Sequence, residues 1–303
     1  MALTILEAAK LIANPLAQGV VEIIAAENPI LERMPIIDIQ GTAYRYNREG
    51  TLPGIGFRGL NEGFDESTAV LNPQVESLTI LGGDMDFDRA LIAMGAGSPD
   101  IRAANDAQKL KAASLKWLKT FFDGDSEANP REFDGLNVRL GSGSQVIPNA
   151  TNGGPLDLDK LDEMIDAVVG TPDVLLMSKR MQRILSKTVR AADQALETIT
   201  DAFGRPLSAY SGVPIAIVED DNEGNAILAF DEADGAGNFD TGSIYALRLG
   251  LPFLHGIQTA PIDARDLGEV SDKPVLRTRV EWYSGVVLKH PKAAARLTLV
   301  NDQ

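Results

Sequence analysis

GTAYRYNREGTLPGIGFRGLNEGFDESTAVLNPQVESLTIL, residues 41–81, is rich in glycine and charge and nearly empty of core-forming side chains. Its two ends, Thr42 to Asn47 and Val75 to Leu81, read as strands, and glycines punctuate the stretch between them. The segment is expected to form a two-stranded arm with a loop tip. An isolated ribbon of two strands is marginal in water. A coreless stretch of about 40 residues also far exceeds the roughly 4–6 residues of an ordinary connection. Such an arm needs outside support, and a neighbouring copy of the same chain is the expected one.

Working outward, residues 1–40 contain two short amphipathic helices, about Leu3 to Ala13 and Leu16 to Ala26, broken at Asn14-Pro15 and ended by Asn28-Pro29. Their apolar faces are narrow (Leu3, Leu6, Ala9; Val20, Ile23, Ile24), so each needs a partner surface, either on its own chain or on a neighbour. On the other side of the arm, GGDMDFDRAL leads to a long helix from Pro99 to Phe122. Ser98 can cap it, Pro99 suits its first turn and Asp100 complements the helix dipole. Ile101, Ala104, Leu110, Leu115, Leu118, Phe122 and the stem of Lys111 follow helical spacing, and Gly124 is the expected stop. At ~1.5 Å per residue this is a rod of roughly 35 Å.

Residues 125–154, with their GSGS and NATNGG tracts, read as a loop-like domain boundary. Beyond it, LDLDKLDEMIDAVVG is a capped helix with Leu158, Leu161, Met164, Ile165 and Val168 on its apolar face and a stop at Gly170. A strand at Asp173 to Met177 runs into a helix from Ser178 that carries Met181, Ile184, Leu185 and Val189 on one face. Strands are expected at Pro214 to Val218, Ala226 to Phe230 and Ser243 to Leu249, joined by acidic, glycine-rich turns. LRTRVEWYSGVVLKH, from Leu276, alternates for most of its length as one long strand. Leu276, Thr278, Val280, Trp282, Val286 and Leu288 lie on one side, which is expected to meet the arm's strands or the long helix. A last short strand, ARLTLV, ends at Val300.

The 303 residues, 44% hydrophobic, suffice for a substantial core, split between two compact parts and their extensions. A net charge of −15, from 43 acidic and 28 basic residues, argues against affinity built on neutralising phosphates. The absence of cysteine removes disulfides, thiolate metal sites and cysteine nucleophiles. Charges and Pro15 interrupt the N-terminal segment, so it reads as neither signal peptide nor membrane span, and a soluble product made in the cytoplasm is expected. The glycosylation sequon at Asn149-Ala150-Thr151 is accordingly read as inert.

Chemical motifs are weak. Gly54-Ile55-Gly56-Phe57-Arg58-Gly59 has dinucleotide spacing, but Leu52-Pro53 precedes it and Asn61-Glu62-Gly63 follows, where the motif needs a buried strand and a helix. Asp84, Asp86 and Asp88 fall on one face of a strand and form either a hard-cation site or a solvated edge. EDDNEG at 219–224 and DEADGAGNFD at 231–240 read as hairpin turns. His255 and His290 are far apart in sequence with no relay motif nearby, and GxSxG, HExxH and P-loop patterns do not occur. No catalytic, cofactor or metal residue is assigned.

The order of arm, long loop, girder helix, α/β unit and long C-terminal strand resembles the major capsid proteins of tailed bacteriophages over nearly the whole chain. The stretches that carry the likeness are MALTILEAAKL, NPILERMPIIDIQGTAYRYNREGTLPGIGFRG, LGGDMDFDRAL and RVEWYSGVVLKHPKAAARLTLV. The resemblance implies an α+β capsid fold in four parts. These are an N-terminal arm (1–40), an extended loop (41–83), a peripheral domain with the spine helix (84–154 and 261–292) and an axial domain (155–260 and 293–303). It further implies hexamers and pentamers in an icosahedral virion shell around double-stranded DNA, with the loop lying across an adjacent subunit. A portal and, optionally, a decoration protein are the other partners implied; because the chain starts almost at the arm, either a separate scaffolding protein is expected or a segment of scaffold length has been removed before this form.

Some members of this family link subunits through a lysine on the loop, but no lysine lies between Lys10 and Lys109, so a non-covalent shell is expected. On this reading the interface residues are Arg45, Arg48, Glu49, Arg58, Glu62, Asp65 and Glu66 for charge pairing and Phe57 and Phe64 as apolar anchors. Two alternatives stand beside it. One is an encapsulin-type compartment, and the other is a metal-dependent α/β hydrolase using the carboxylates of 219–240.

Overall fold

The computed structural model describes residues 28–49, 53–68, 71–90, 99–141, 143–192, 196–200, 206–221, 223–234 and 236–302. The two helices expected before Asn28 lie outside these residues. In chain order the first strands are β1 (Ile36–Asp38), β2 (Ala43–Glu49), β3 (Leu71–Ser77) and β4 (Thr79–Asp88). Helices α1 (Pro99–Asp123) and α2 (Leu136–Leu140) follow, then β5 (Val146–Pro148), α3 (Leu158–Ala167), β6 (Val174–Ser178) and α4 (Lys179–Ala191). The remaining strands are β7 (Glu197–Thr200), β8 (Pro206–Tyr210), β9 (Val213–Val218), β10 (Glu232–Ala233), β11 (Phe239–Leu247), β12 (Leu254–Gln258), β13 (Asp263–Glu269), β14 (Val275–Leu288) and β15 (Ala294–Val300).

The first sheet is built on β14. Its residues 275–284 pair antiparallel with β4 along one edge, while the opposite edge carries first β13 and then β12; β1 adds to β12 in parallel. The alternation in β14 puts Val280 and Trp282 into the core, where α1 crosses the sheet with Leu110, Trp117, Leu118, Phe121 and Phe122 buried. The Trp117 and Trp282 rings lie 5.8 Å apart. Both indole N–H groups keep partners as buried tryptophans require: Trp117 Nε1 donates to Ser284 Oγ (3.2 Å) and Trp282 Nε1 to Gln258 Oε1 (3.0 Å). The long strand thus meets the long helix as expected and pairs with Thr79, Ile80 and Leu81 at the end of the expected arm strand, which here belong to β4; the β2–β3 ribbon is not its partner.

The α1 helix runs to Asp123 as its spacing predicts, although the side chains of Ile101 and Ala104 lie outside the described ones. Its stop differs from expectation. Gly124 is needed for close approach and not for a left-handed turn: a Cβ there would collide with the Phe133 carbonyl, and one on Gly135 with the Phe122 carbonyl. The two glycines bring α2 back against the end of α1, and Gly135 N–H donates to Gly124 O at 2.8 Å.

The second sheet runs β5-β15-β11-β6-β9-β8-β7, with β10 on β11. Every residue of β6, Val-Leu-Leu-Met-Ser, is buried, because both faces are covered. Leu175 and Met177 face α3 and α4, with Leu161, Met164, Met181 and Leu185. Val174 and Leu176 face the other way, into the cluster that also holds Phe121, Phe122 and Trp282, so one core joins the two sheets. Asp157 and Ser178 cap α3 and α4 by accepting from the Asp159 and Met181 N–H groups.

Two strand expectations need correction. Val75 to Leu81 is not one strand: the chain leaves the arm at Ser77, passes Leu78 and joins the body sheet at Thr79. Ala226 to Phe230 forms no strand; Ala226 makes a single bridge to Asp220, and Ile227 and Leu228 are buried as core.

Candidate subunit interface

The arm has two parts. Its root is the β2–β3 ribbon, paired from Ala43↔Ser77 to Glu49↔Leu71. The alternation in Tyr44-Arg45-Tyr46 places both rings on the face that packs on the body sheet, against Ile37, Ile257 and Val287. The Leu288 carbonyl accepts from Arg48 Nη2 at 2.8 Å and lies 3.3 Å from the Tyr46 hydroxyl. Burial, reinforced by Glu76, pushes the Tyr46 hydroxyl above its ordinary pKa. Arg139 on α2 grips Glu76 on β3 with two parallel bonds of 2.6 and 2.9 Å, with little side-chain surface left exposed.

The tip, residues 53–68, has neither strand nor helix and holds together only locally. Arg58 Nη1 donates to Glu62 O (3.0 Å), Gly59 N–H to Glu62 Oε2 (2.8 Å) and Ser67 Oγ to Gly54 O (2.8 Å), and the Arg58 guanidinium sits over the Phe64 ring. Asn61, at φ 65°, takes the left-handed turn between them. Four large apolar side chains stand in solvent: Ile55 at 96%, Phe57 at 110%, Leu60 at 99% and Phe64 at 69% exposure. Scattered apolar residues on a surface are ordinary; here four stand together on one short loop.

The residues singled out in the sequence therefore divide. Phe57, Arg58, Glu62, Phe64, Asp65 and Glu66 share the exposed tip. Arg45 is exposed on β2 opposite Val75, and Glu49 ends β2 opposite Leu71. Arg48 is bound to its own chain at Leu288. Tyr44, Tyr46, Glu76 and Arg139 join them at the root; the Tyr-Arg-Tyr alternation signals the first two, whereas nothing local links Glu76 to Arg139.

The acidic candidates are committed elsewhere. Asp84 and Asp86 each accept two bonds from the arginine directly opposite on β14, Arg279 (2.7 and 2.8 Å) and Arg277 (2.6 and 2.7 Å). These bonds hold both carboxyls below their ordinary pKa. Asp88 Oδ1 accepts from Ala90 N–H. The two later acidic loops share one design, DNEGN at 221–225 and DGAGN at 234–238. In each, the leading Asp Oδ1 accepts from backbone N–H groups two and four residues on, and the fourth residue is a glycine at positive φ, Gly224 (82°) or Gly237 (88°). Asn149 of the sequon is likewise internal, bonded to Gly154 O, Pro155 O and Asp157 N. The glycines at 54–59 lie in the tip, and no helix follows them. Among the described residues no group of three or more His, Asp or Glu side chains converges on a point, and no helix is long and apolar enough to cross a membrane.

Residues 14–156 match the family model "Major capsid protein GP7". No curated protein matches the chain in sequence. In three dimensions it is similar to the SrpI encapsulin of Synechococcus elongatus, at 15% identity and a TM-score of 0.68, over 90% of this chain and 88% of that one. It is similar to a protein of Microbacterium phage Oxtober96 at 14% identity and 0.65, over 91% of each. The capsid of a native GTA particle matches at 16% and 0.63, over 91% of this chain and 90% of that one. At such identities the structural likeness establishes the fold, and the family match concerns residues 14–156. Residues 14–156 thus carry the match to the major capsid protein GP7 family, and the chain over nine-tenths of its length has the fold of the capsid and encapsulin chains it is similar to.

Proposed function

We propose that the chain assembles as hexamers and pentamers into an icosahedral shell around double-stranded DNA, with the arm at 41–83 lying across an adjacent copy. The observation that carries this is the tip: Ile55, Phe57, Leu60 and Phe64 are exposed on a loop whose recorded side-chain bonds all stay within it. Burying even half of that apolar surface against a neighbour, at ~25 cal/mol per Å², is worth several kcal/mol per contact, and a closed shell repeats the contact many times. The peripheral unit on this reading comprises 84–154 and 261–292, and the axial unit 155–260 and 293–303. The net charge of −15 suits a wall that encloses DNA without adsorbing it. The role is structural, without turnover, and a scaffolding protein, a portal and a decoration protein are the expected partners. With no lysine between Lys10 and Lys109, the contacts are non-covalent, and high-mass ladders on a boiled denaturing gel would contradict this.

Sedimentation velocity and negative-stain microscopy on the chain, expressed alone and with its neighbouring genes, test the assembly. Closed shells, or hexamers and pentamers able to form them, are expected; a monomer or dimer under every condition overturns the reading. The likeness to an encapsulin favours a second reading, a protein-filled compartment. The GP7 match weighs toward the DNA-filled shell, and nuclease-protected DNA in purified particles separates the two.

A further inference from the structure

Among the described residues, the buried side-chain polar atoms without a hydrogen-bond partner are Arg48 Nε and both ring nitrogens of His255. Both residues sit where the arm root meets the body. Buried polar groups are so regularly paired that two exceptions at one junction call for a cause. His255 lies on β12, fully buried, and the Tyr44 ring of the arm stands edge-on to it with centroids 5.9 Å apart. The root therefore forms the lid over this imidazole.

We propose that the arm root is an acid-released latch: neutral His255 lets Tyr44 and Tyr46 seat on the sheet, and protonation of the imidazole drives the root off, freeing the arm to change its angle. The surroundings favour this. Lys289, just past β14, is the charge that acts on the ring and it opposes protonation. Arg48 of β2, held at the same junction by the Leu288 carbonyl, is also a cation. Of the carboxylates at this junction, Glu76 on β3 is bound by Arg139 of α2, and Asp38 on β1 accepts from Gln258 through one oxygen. No carboxylate is among the groups that act on the ring; the Gly250 backbone favours its protonation but is the smallest of the three influences. With burial as the larger cause and Lys289 as the second, the His255 pKa falls to about 4. Freed into water, the ring returns to about 6.5. A group depressed in the seated state stabilises that state above the free value, and the stabilisation is lost as pH falls from about 6.5 toward 4. The latch belongs to the subunit itself and holds whether or not the shell reading does.

Hydrogen–deuterium exchange on the unassembled full chain, corrected for intrinsic rates, tests it. Between pH 7.5 and 4.5, protection of the β2 and β3 amides should fall roughly 50–100-fold, while β6, β11 and the β12–β14 pairing keep theirs. His255→Leu should abolish the pH dependence and leave the root seated at both pH values. Unchanged root protection in the native chain, the same pH response in His255→Leu, or loss of root and body protection together would overturn the proposal. Should His255→Leu fail to fold, NMR titration of the native imidazole decides: a midpoint near 6.5 with the root still protected refutes the latch, and one below about 5, moving with the Tyr44 ring signals, supports it.

Discussion

The root and the tip of the arm belong to one continuous segment, yet they treat their aromatic side chains in opposite ways. Tyr44 and Tyr46 lie on the chain's own sheet, and the root is fixed by Arg139–Glu76 and by Arg48 on the Leu288 carbonyl. Phe57 and Phe64, on the same excursion, face solvent. A side chain near the hinge can find a partner within its own molecule at little cost in loop closure. One at the far end of a projecting ribbon can find it only on another molecule. On the proposed shell reading, the boundary between folding and assembly runs through the arm, between Glu49 and the tip.

The largest expected effect lies beneath both regions and calibrates them. Trp282→Ala should cost the subunit about 3–5 kcal/mol, read as a shift in the denaturation midpoint, because it empties the space between β14 and Trp117. Next comes the root. Arg139→Ala strands Glu76 half-buried and should cost ~2 kcal/mol, seen as faster exchange of the β2 and β3 amides with the body unchanged; equal loss in the body would mean that root and body are one cooperative unit.

At the tip, Phe57→Ala or Phe64→Ala should move subunit stability by less than ~0.5 kcal/mol while sharply lowering particle yield. A native yield from both would erase the distinction between root and tip. The smallest effect is expected on the outer face of the body sheet. The arginine bonds depress the Asp84 and Asp86 carboxyls, so their contribution is present above the free carboxylate pKa of about 3.9 and fades as pH falls through the depressed folded values. In Asp84→Asn/Asp86→Asn the denaturation midpoint should drop slightly at pH 6, less so in high salt, and match the native chain near pH 2.

Much of this was written locally. The period of 3.6 from Leu110 to Phe122, the caps at Asp157 and Ser178, the Asp and Gly of the two acidic loops, and the alternation around Trp282 each act within a few residues, so they can be read in a short window. The coreless arm was legible for the same reason, since a shortage of apolar residues is a local property. Other features joined distant positions and had no local sign. Tertiary structure alone decided that β4 leaves the arm at Leu78 and lines its aspartates against Arg277 and Arg279, that Gly124 and Gly135 touch, that Glu76 meets Arg139, and that His255 lies under Tyr44. Strand register and close backbone contact set these pairings, because a charge or a glycine finds its partner only when the whole fold brings the two together.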